Sequence, residues 1–119
     1  MQKLKHLNIC HLNIRGLNQP KLDAIKSDLV PTYDVISISE TFLGQNSSEM
    51  SIPGYHPIIR KDRQSFGGGV AIFVKDNVLY KKKIILERDN IEAIWIEINT
   101  IDGKILFCCV YRPPNSIDF

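Results

Sequence analysis

The stretch LKHLNICHLNIRGLNQPKLDAIKSDLVPTYDVISIS, residues 4–39, decides the fold because it contains two apolar strands joined by one amphipathic helix. Residues 4–13 predict a strand with apolar side chains on both faces. Asn18 is positioned to cap the following helix, and Pro20 falls in its first turn, where a missing N–H costs nothing. Residues 34–39 predict the second strand. Such a β-α-β unit places its two strands parallel, with the helix crossing one face of the sheet.

Most of the remaining chain predicts β-structure, with an exposed polar loop at residues 44–51. Asp102 and Gly103 separate two apolar runs and predict a type I′ hairpin turn. The last run, residues 106–110, is apolar on both faces, which is typical of a strand covered above and below. The alternation of apolar and polar residues predicts further strands over residues 56–61, 69–75, 78–86, 91–100 and 104–111.

These patterns predict the α/β fold class: one domain over residues 1–119, with a mixed β-sheet and one convincing helix. A single helix covers a sheet of this width poorly, and the chain stops at Phe119, soon after the last strand. Either an unseen partner layer covers the second face of the sheet, or the chain is part of a larger domain. We favour the second interpretation.

The composition is that of a globular protein, because 44% of the 119 residues are hydrophobic and 24% are charged. The net charge of +2 is too small to indicate a polyanionic partner without other evidence. No apolar run, such as that at residues 106–111, is long enough to span a membrane, and the N-terminus lacks the apolar segment of a secretory signal. Three cysteines without Cys-x-x-Cys spacing fit neither a disulfide framework nor a zinc site. We therefore expect an intracellular protein, nuclear or cytoplasmic, that is neither secreted nor membrane-bound.

Polar side chains follow both parallel strands at their C-terminal ends. Asn13 ends the first strand and is followed by Arg15, whereas Glu40 comes directly after the second strand. Ligands of α/β sheets collect at this edge, so Asn13 and Glu40 should converge there. A carboxylate and an amide oxygen suit Mg²⁺ or Mn²⁺ rather than zinc. On spacing alone, however, the plainer interpretation is favoured, in which Asn13 closes a turn and Glu40 caps a backbone N–H.

Three further motifs have both a chemical and a structural interpretation. Tyr111 and Arg112 end the last strand, where each could donate to a phosphate oxygen or simply mark a strand edge. The basic cluster at residues 60–63 is, by default, a solvated strand end. The glycines at residues 67–69 lack the following Lys and helix of a phosphate loop, and therefore predict a tight turn or a close backbone approach.

Taken in order, four motifs resemble the endonuclease/exonuclease/phosphatase superfamily: HLNIRGL at residues 11–17, SETFL at 39–43, GGGVAIFV at 67–74 and VYRPP at 110–114. The resemblance is strongest to the apurinic-endonuclease-like domain of LINE-type, non-LTR retrotransposon polyproteins, and it covers residues 7–114. It implies a DNase I-like fold, in which two sheets pack face to face with helices outside. On this resemblance the chain looks like the N-terminal half of that domain, with its first sheet alone.

The resemblance also implies roles for individual residues. Asn13 matches an asparagine at the metal and the phosphate, Glu40 matches the ligand of the divalent cation, and Tyr111 matches the tyrosine at the scissile phosphate. The implied cofactor is Mg²⁺, with Mn²⁺ as a substitute, and the implied partner is the phosphate backbone of DNA. Basic residues near the site would then contact that backbone: Arg15, Arg60, Lys61, Arg63 and Arg112.

The sequence departs from the family pattern in two ways. The family completes its site with a Gly-Asp-Phe-Asn-like segment, a later Asp and a C-terminal His beside an Asp, and none of these is in this sequence. We therefore expect the chain to need the remainder of the endonuclease domain, within a polyprotein with reverse transcriptase, and not to cut DNA alone. Pro114 replaces an asparagine of some relatives, which we interpret as a subfamily difference. Two alternatives stay open: a non-catalytic DNA-binding remnant, and a phosphatase of the same superfamily.

Overall fold

The computed structural model describes residues 6–63 and 67–113, which form two β-sheets and one α-helix. Sheet one has four strands in the spatial order β1-β2-β4-β3, and sheet two has three strands in the order β5-β6-β7. The elements of sheet one and its helix are β1 (Ile9–Asn13), α1 (Gln19–Asp28), β2 (Val35–Ser39), β3 (Ile59–Lys61) and β4 (Val70–Val74). Those of sheet two are β5 (Tyr80–Lys82), a 3₁₀ turn (Ile84–Leu86), β6 (Glu92–Thr100) and β7 (Gly103–Tyr111).

The predicted β-α-β unit is confirmed. β1 and β2 pair in parallel, with Ile9 opposite Val35. The side chain of Asn18 accepts the backbone N–H of Lys21 at 2.9 Å, so it caps α1 as expected. β1 is shorter than predicted, because it begins at Ile9; the first five residues of the chain lie outside the described residues.

The prediction of a single mixed sheet is wrong, and so is the expectation that this chain contains one sheet alone. The chain leaves sheet one after β4, and β5 pairs with β6 in a separate antiparallel sheet. The predicted strand over residues 78–86 is interrupted accordingly, since β5 is followed by the 3₁₀ turn. Apolar alternation shows which side chains of a strand face a core but not which strand is its neighbour, so the sequence pattern did not separate the two sheets.

Two cores hold the three layers together. Between the sheets, Ile72 of β4 packs in one cluster with Ile94 and Ile96 of β6 and Cys109 of β7. On the other face of sheet one, α1 packs Leu22 and Ile25 onto side chains of β2 and β4, including Ile36, Ile38 and Phe73. Each fully buried isoleucine contributes about 1.5–3 kcal/mol relative to an exposed one. Because α1 and sheet two pack on opposite faces of sheet one, the order of layers is helix, sheet one, sheet two.

The hairpin between β6 and β7 forms where it was predicted, but its turn differs. Thr100 pairs with Gly103, so Ile101 and Asp102 are the loop residues. A type I′ turn needs positive φ at both central residues, and among these residues only Gly103 has it, at 130°. The turn is therefore centred one residue earlier than predicted, and it is not of type I′. The side chain of Thr100 donates to the Gly103 carbonyl at 2.8 Å and closes the turn instead.

In the part of the chain that the structure describes, no helix is long and apolar enough to cross a membrane.

Candidate functional site

The site lies where β1 and β2 end together. The backbones of both strands continue side by side past the last strand pair, because Gly16 N–H donates to the Glu40 carbonyl at 2.7 Å and Leu17 N–H donates to the Thr41 carbonyl at 2.8 Å. This pairing brings the side chains that follow the strands together. The Asn13 side-chain amide donates to Glu40 Oε1 at 2.9 Å. The structure thus places Asn13 and Glu40 in direct contact.

Tyr111 reaches the same place from the second sheet. It is the last residue of β7, and its hydroxyl is hydrogen-bonded to the Glu40 carboxylate. Since the carboxylate can only accept, the tyrosine hydroxyl is the donor. Asn13, Glu40 and Tyr111, taken from three separate motifs of the sequence, therefore form one hydrogen-bonded group that spans both sheets.

The electrostatics favour an ionised Glu40 and a neutral Tyr111. The hydrogen bond from Asn13 lowers the pKa of Glu40 below the ordinary 4.5. Desolvation opposes this shift by raising the pKa, whereas the Tyr111 hydroxyl and the charges of Arg15 and Arg63 lower it further. Burial raises the pKa of Tyr111 above 10.0, and the bond to Glu40 and its charge add to this shift. At neutral pH the site presents a carboxylate beside a phenol that keeps its proton.

Next to Tyr111, a salt bridge links the segment that follows β3 of sheet one to the start of β6 in sheet two. Arg63 Nε and Nη2 donate to Glu92 Oε2 at 3.1 and 2.7 Å, and the guanidinium carbon lies 6.0 Å from the centre of the Tyr111 ring. The other oxygen of Glu92 accepts the backbone N–H of Gly69 at 2.7 Å. Glu92 therefore connects sheet two to the glycine run that precedes β4 of sheet one.

Glu92 is a site residue that the sequence analysis missed. It pairs with Tyr111 in the β6–β7 register. The predicted turn at Asp102 and Gly103 shifts this register and places Ile94, not Glu92, opposite Tyr111. Had the turn been predicted with Thr100 paired to Gly103, the same register would have placed Glu92 opposite Tyr111.

The glycine run approaches the site closely, as its sequence predicted. A Cβ on Gly68 would lie 2.3 Å from Glu92 Oε1, and a Cβ on Gly69 would lie 2.4 Å from Thr41 Oγ1. Real Cβ atoms do not approach other atoms so closely, so only glycine fits at either position without a shift of its neighbours. The Gly69 carbonyl also accepts the backbone N–H of Thr41, and the Gly68 carbonyl accepts the backbone N–H of Phe42.

Backbone strain is concentrated at this edge of the sheet. In the described residues, the non-glycine residues with positive φ are Arg15 at 49°, Glu40 at 56° and Phe42 at 57°. Each such residue costs on the order of 1–3 kcal/mol unless its surroundings hold it, and residues of this kind cluster at functional sites. The strain therefore marks the same place as the hydrogen-bonded group.

The predicted DNA contacts fall into two groups. Arg60 donates to the Gly44 carbonyl at 3.1 Å, and Lys61 donates to the carbonyls of Arg88 and Ile91 at 2.8 and 2.9 Å. These two cations, like Arg63 in its salt bridge, are held by internal partners. Arg15, whose charge acts on Glu40, and Arg112 differ from these three in being exposed next to the site residues, and Arg112 too interacts with other groups of the chain. Pro114 lies outside the described residues.

The donor set fits a weakly held magnesium ion. Among residues 6–63 and 67–113, no group of three or more His, Cys, Asp or Glu side chains could hold a metal. The Glu40 carboxylate and the Asn13 amide oxygen are nonetheless hard oxygen donors of the kind Mg²⁺ takes, and this ion usually keeps several waters and needs only one or two carboxylates. The residues present therefore suit Mg²⁺ as part of a coordination shell.

The chain matches no model of a known protein family, and it matches no curated protein.

Proposed function

We propose that this chain is the N-terminal half of a Mg²⁺-dependent DNA endonuclease domain like those of non-LTR retrotransposons. The observation that carries the proposal is the hydrogen-bonded group of Asn13, Glu40 and Tyr111. The resemblance selects these residues from three distant motifs, and they lie in contact across two sheets. A chance set of strand-end residues has no reason to meet in this way.

The architecture supports the DNase I-like assignment. That fold packs two sheets face to face with helices outside, and here α1 lies outside sheet one, while sheet two packs on its other face. Both sheets have an edge strand, β1 and β7, next to the site. This arrangement is consistent with a half-domain whose strands continue in the remainder of the polyprotein.

The chemistry assigns a role to each side chain. Glu40 and the Asn13 amide oxygen would hold Mg²⁺, which, when bound, supplies charge neutralisation at a phosphodiester and its leaving oxygen. Tyr111 keeps its proton at neutral pH, so its hydroxyl can donate to a non-bridging phosphate oxygen as negative charge develops. Arg15 adds positive charge at the same edge and attracts the DNA backbone.

The chain alone should bind but not cut efficiently. Hydrolysis needs a base for the attacking water, and a missing positioned base costs about 10²–10⁴-fold in rate. Glu92, a neighbouring carboxylate in the described chain, is held by Arg63 and by the Gly69 N–H. We therefore assign the base to the remainder of the domain.

Mn²⁺ binding tests the metal site directly, because electron paramagnetic resonance measures the concentration of the free ion. We expect the 119-residue chain to bind Mn²⁺, Mg²⁺ to displace it, and Glu40→Gln to lose the binding. The matched control is Glu97→Gln, since Glu97 lies on sheet two beside Lys104, with which it forms a 3.8 Å ion pair. Unchanged Mn²⁺ binding in Glu40→Gln would refute the proposed function.

A nicking assay tests whether the half-domain is incomplete. Supercoiled plasmid with Mg²⁺ should stay supercoiled in the presence of the chain. Robust nicking that Glu40→Ala abolishes would show that the chain is already a complete enzyme, and our assignment of the base to the remainder of the domain would then be wrong.

A further inference from the structure

Tyr111 is the last residue of an edge strand, and the strand alone does not fix the direction of its hydroxyl. β7 pairs with β6 on one side, and no strand of the described chain pairs with it on the other. The half-buried ring packs at the margin of the core between the sheets, but apolar packing is not directional. A tyrosine in such a place has several side-chain rotamers open to it. Its hydrogen bond to Glu40 therefore needs other groups that hold the ring.

A charged pair, Arg63 and Glu92, lies beside the ring. Glu92 is directly opposite Tyr111 in the β6–β7 pairing. The guanidinium carbon of Arg63 lies 6.0 Å from the ring centre, which is within the range of a cation–π contact. Two hydrogen bonds of 3.1 and 2.7 Å join this guanidinium to one oxygen of Glu92. Because the guanidinium is a rigid plane, it cannot leave the ring without breaking both bonds.

The second oxygen of Glu92 connects the pair to the other partner of the tyrosine hydroxyl. It accepts the Gly69 N–H at 2.7 Å, and the Gly69 carbonyl accepts the N–H of Thr41 at 3.2 Å. Thr41 directly follows Glu40 in the chain. The contacts thus close a ring, whose members in order are Glu40, Tyr111, Arg63, Glu92, Gly69 and Thr41.

The charged pair has little room to move. A Cβ on Gly68 would lie 2.3 Å from Glu92 Oε1 and 2.4 Å from Arg63 Nε, so the backbone of the glycine run packs directly against both side chains. These side chains are 28% and 18% exposed for Arg63 and Glu92. A link between two sheets does not by itself call for such a pair, since apolar side chains of similar size often stabilise a protein as well or better. The charged and planar groups therefore point to a role in orientation.

We propose that Arg63 and Glu92 are positioning residues for Tyr111, which hold its ring so that the hydroxyl faces Glu40 and a phosphate oxygen bound there. The part played in phosphate binding rests on the proposed function, whereas the orientation of the ring does not. Without either member of the pair, the chain should still fold and Glu40 should still hold the metal. The Tyr111 ring, however, should then take several orientations and lose its bond to Glu40.

Carbon-13 NMR of the 119-residue chain, with its four tyrosines labelled at Cζ, tests the inference. Tyr111→Phe identifies the Tyr111 signal, and Glu40→Ala shows where this signal lies once the hydrogen bond is lost. We expect Arg63→Gln and Glu92→Gln each to move the signal in the same direction as Glu40→Ala does. The two substitutions change the local charge by opposite signs, so a direct effect of charge would instead move the signal in opposite directions.

Glu97→Gln is the matched control, because Glu97 also lies on β6 and forms a 3.8 Å ion pair with Lys104 of β7. It should leave the Tyr111 signal unchanged. If Glu92→Gln does not fold, Arg63→Lys takes its place. This variant keeps a positive charge opposite Glu92 but lacks the planar fork, so it should move the signal in the same direction. A Tyr111 signal that stays at its wild-type position in the folded variants, or moves in opposite directions, would overturn the inference.

Bound Mn²⁺ separates this inference from the proposed function, because the ion broadens the NMR signals of nearby nuclei. In the wild type, Mn²⁺ at Glu40 should broaden the Tyr111 signal, and at the same occupancy it should broaden this signal less in Glu92→Gln. Failure of the wild type to bind Mn²⁺ would refute the proposed function, and the signal positions without metal would still decide whether the pair orients the ring. Equal broadening in the wild type and Glu92→Gln would overturn the inference and leave the metal site standing.

Discussion

At the scale of single residues, Gly69 and Gly54 allow conformational strain to be separated from steric clash. Their φ angles are nearly the same, 91° and 86°, but a Cβ on Gly69 would meet Thr41 Oγ1 at 2.4 Å, whereas one on Gly54 would meet nothing within 4 Å. Gly54→Ala should therefore lose on the order of 1–3 kcal/mol of unfolding free energy from strain alone. Gly69→Ala should lose about 1–3 kcal/mol more, because the clash adds to the strain. Urea unfolding of both variants measures these losses. Equal losses of unfolding free energy would contradict the close approach of Gly69 to Thr41.

The ionisation of Glu40 belongs to the same scale. Its pKa is lowered chiefly by the Asn13 hydrogen bond, so Asn13→Ala should raise it back towards 4.5. Because the folded-state pKa is the lower one, the stabilisation from this group is present above the unfolded value and is lost as pH falls through the folded value. The carboxyl chemical shift of Glu40, followed by NMR against pH, should show the higher midpoint in Asn13→Ala. Coincident titration curves would mean that the bond seen here does not form in solution.

At the scale of elements, β7 places the side chain of Cys109 in the core and leaves that of its neighbour Cys108 half-buried. Burial raises the pKa of the Cys108 thiol to about 11, with a further contribution from Cys109. Cys109 is buried against sheet one, with its sulfur 3.5 Å from the Ile38 carbonyl. The reactive species is the thiolate, so β7 should be poorly reactive near neutral pH.

Alkylation kinetics test this description of β7. At pH 8, iodoacetamide should modify Cys108 slowly in the native chain and quickly in denaturant, as followed by mass spectrometry. The native rate should keep rising up to about pH 11. A plateau near pH 9, the ordinary range of a thiol, would show that β7 is more open than the structure has it.

At the scale of the whole molecule, both sheets end in an open edge. Among the described residues, β1 is one of the two edge strands of sheet one, and β7 is one of the two edge strands of sheet two. β7 carries exposed apolar residues, among them Ile105 at 40% and Leu106 at 53% exposure. Lys104 is the one charged residue of β7, and long edge strands that are mostly apolar pair with other strands, so the isolated chain should self-associate as its concentration rises.

Analytical ultracentrifugation of two charge variants tests this expectation. Leu106→Lys places a charge on the β7 edge and should lower the self-association. Ile85→Lys is the matched control, because Ile85 is also exposed but lies in the 3₁₀ turn rather than on an edge strand. If both variants lower the self-association equally, then general surface hydrophobicity, and not the edge strand β7, is responsible for it.

Local sequence signals determined much of what the structure shows. The apolar strands, the Asn18 cap and the parallel pairing of β1 with β2 follow from residue types and spacing, because these features depend on neighbours in the chain. The proximity of Asn13 and Glu40 followed in turn, since parallel strands that pair in register end at the same edge.

Long-range geometry decided the rest. The division into two sheets, the pairing of Glu92 with Tyr111 and the internal bonds of Lys61 all depend on which strands become neighbours. Periodicity in a strand identifies its buried face, but every apolar face is equally compatible with several partners, and a turn shifted by one residue changes each cross-strand pair. Only the folded arrangement could therefore show that Tyr111 crosses from sheet two to donate its hydrogen bond to Glu40.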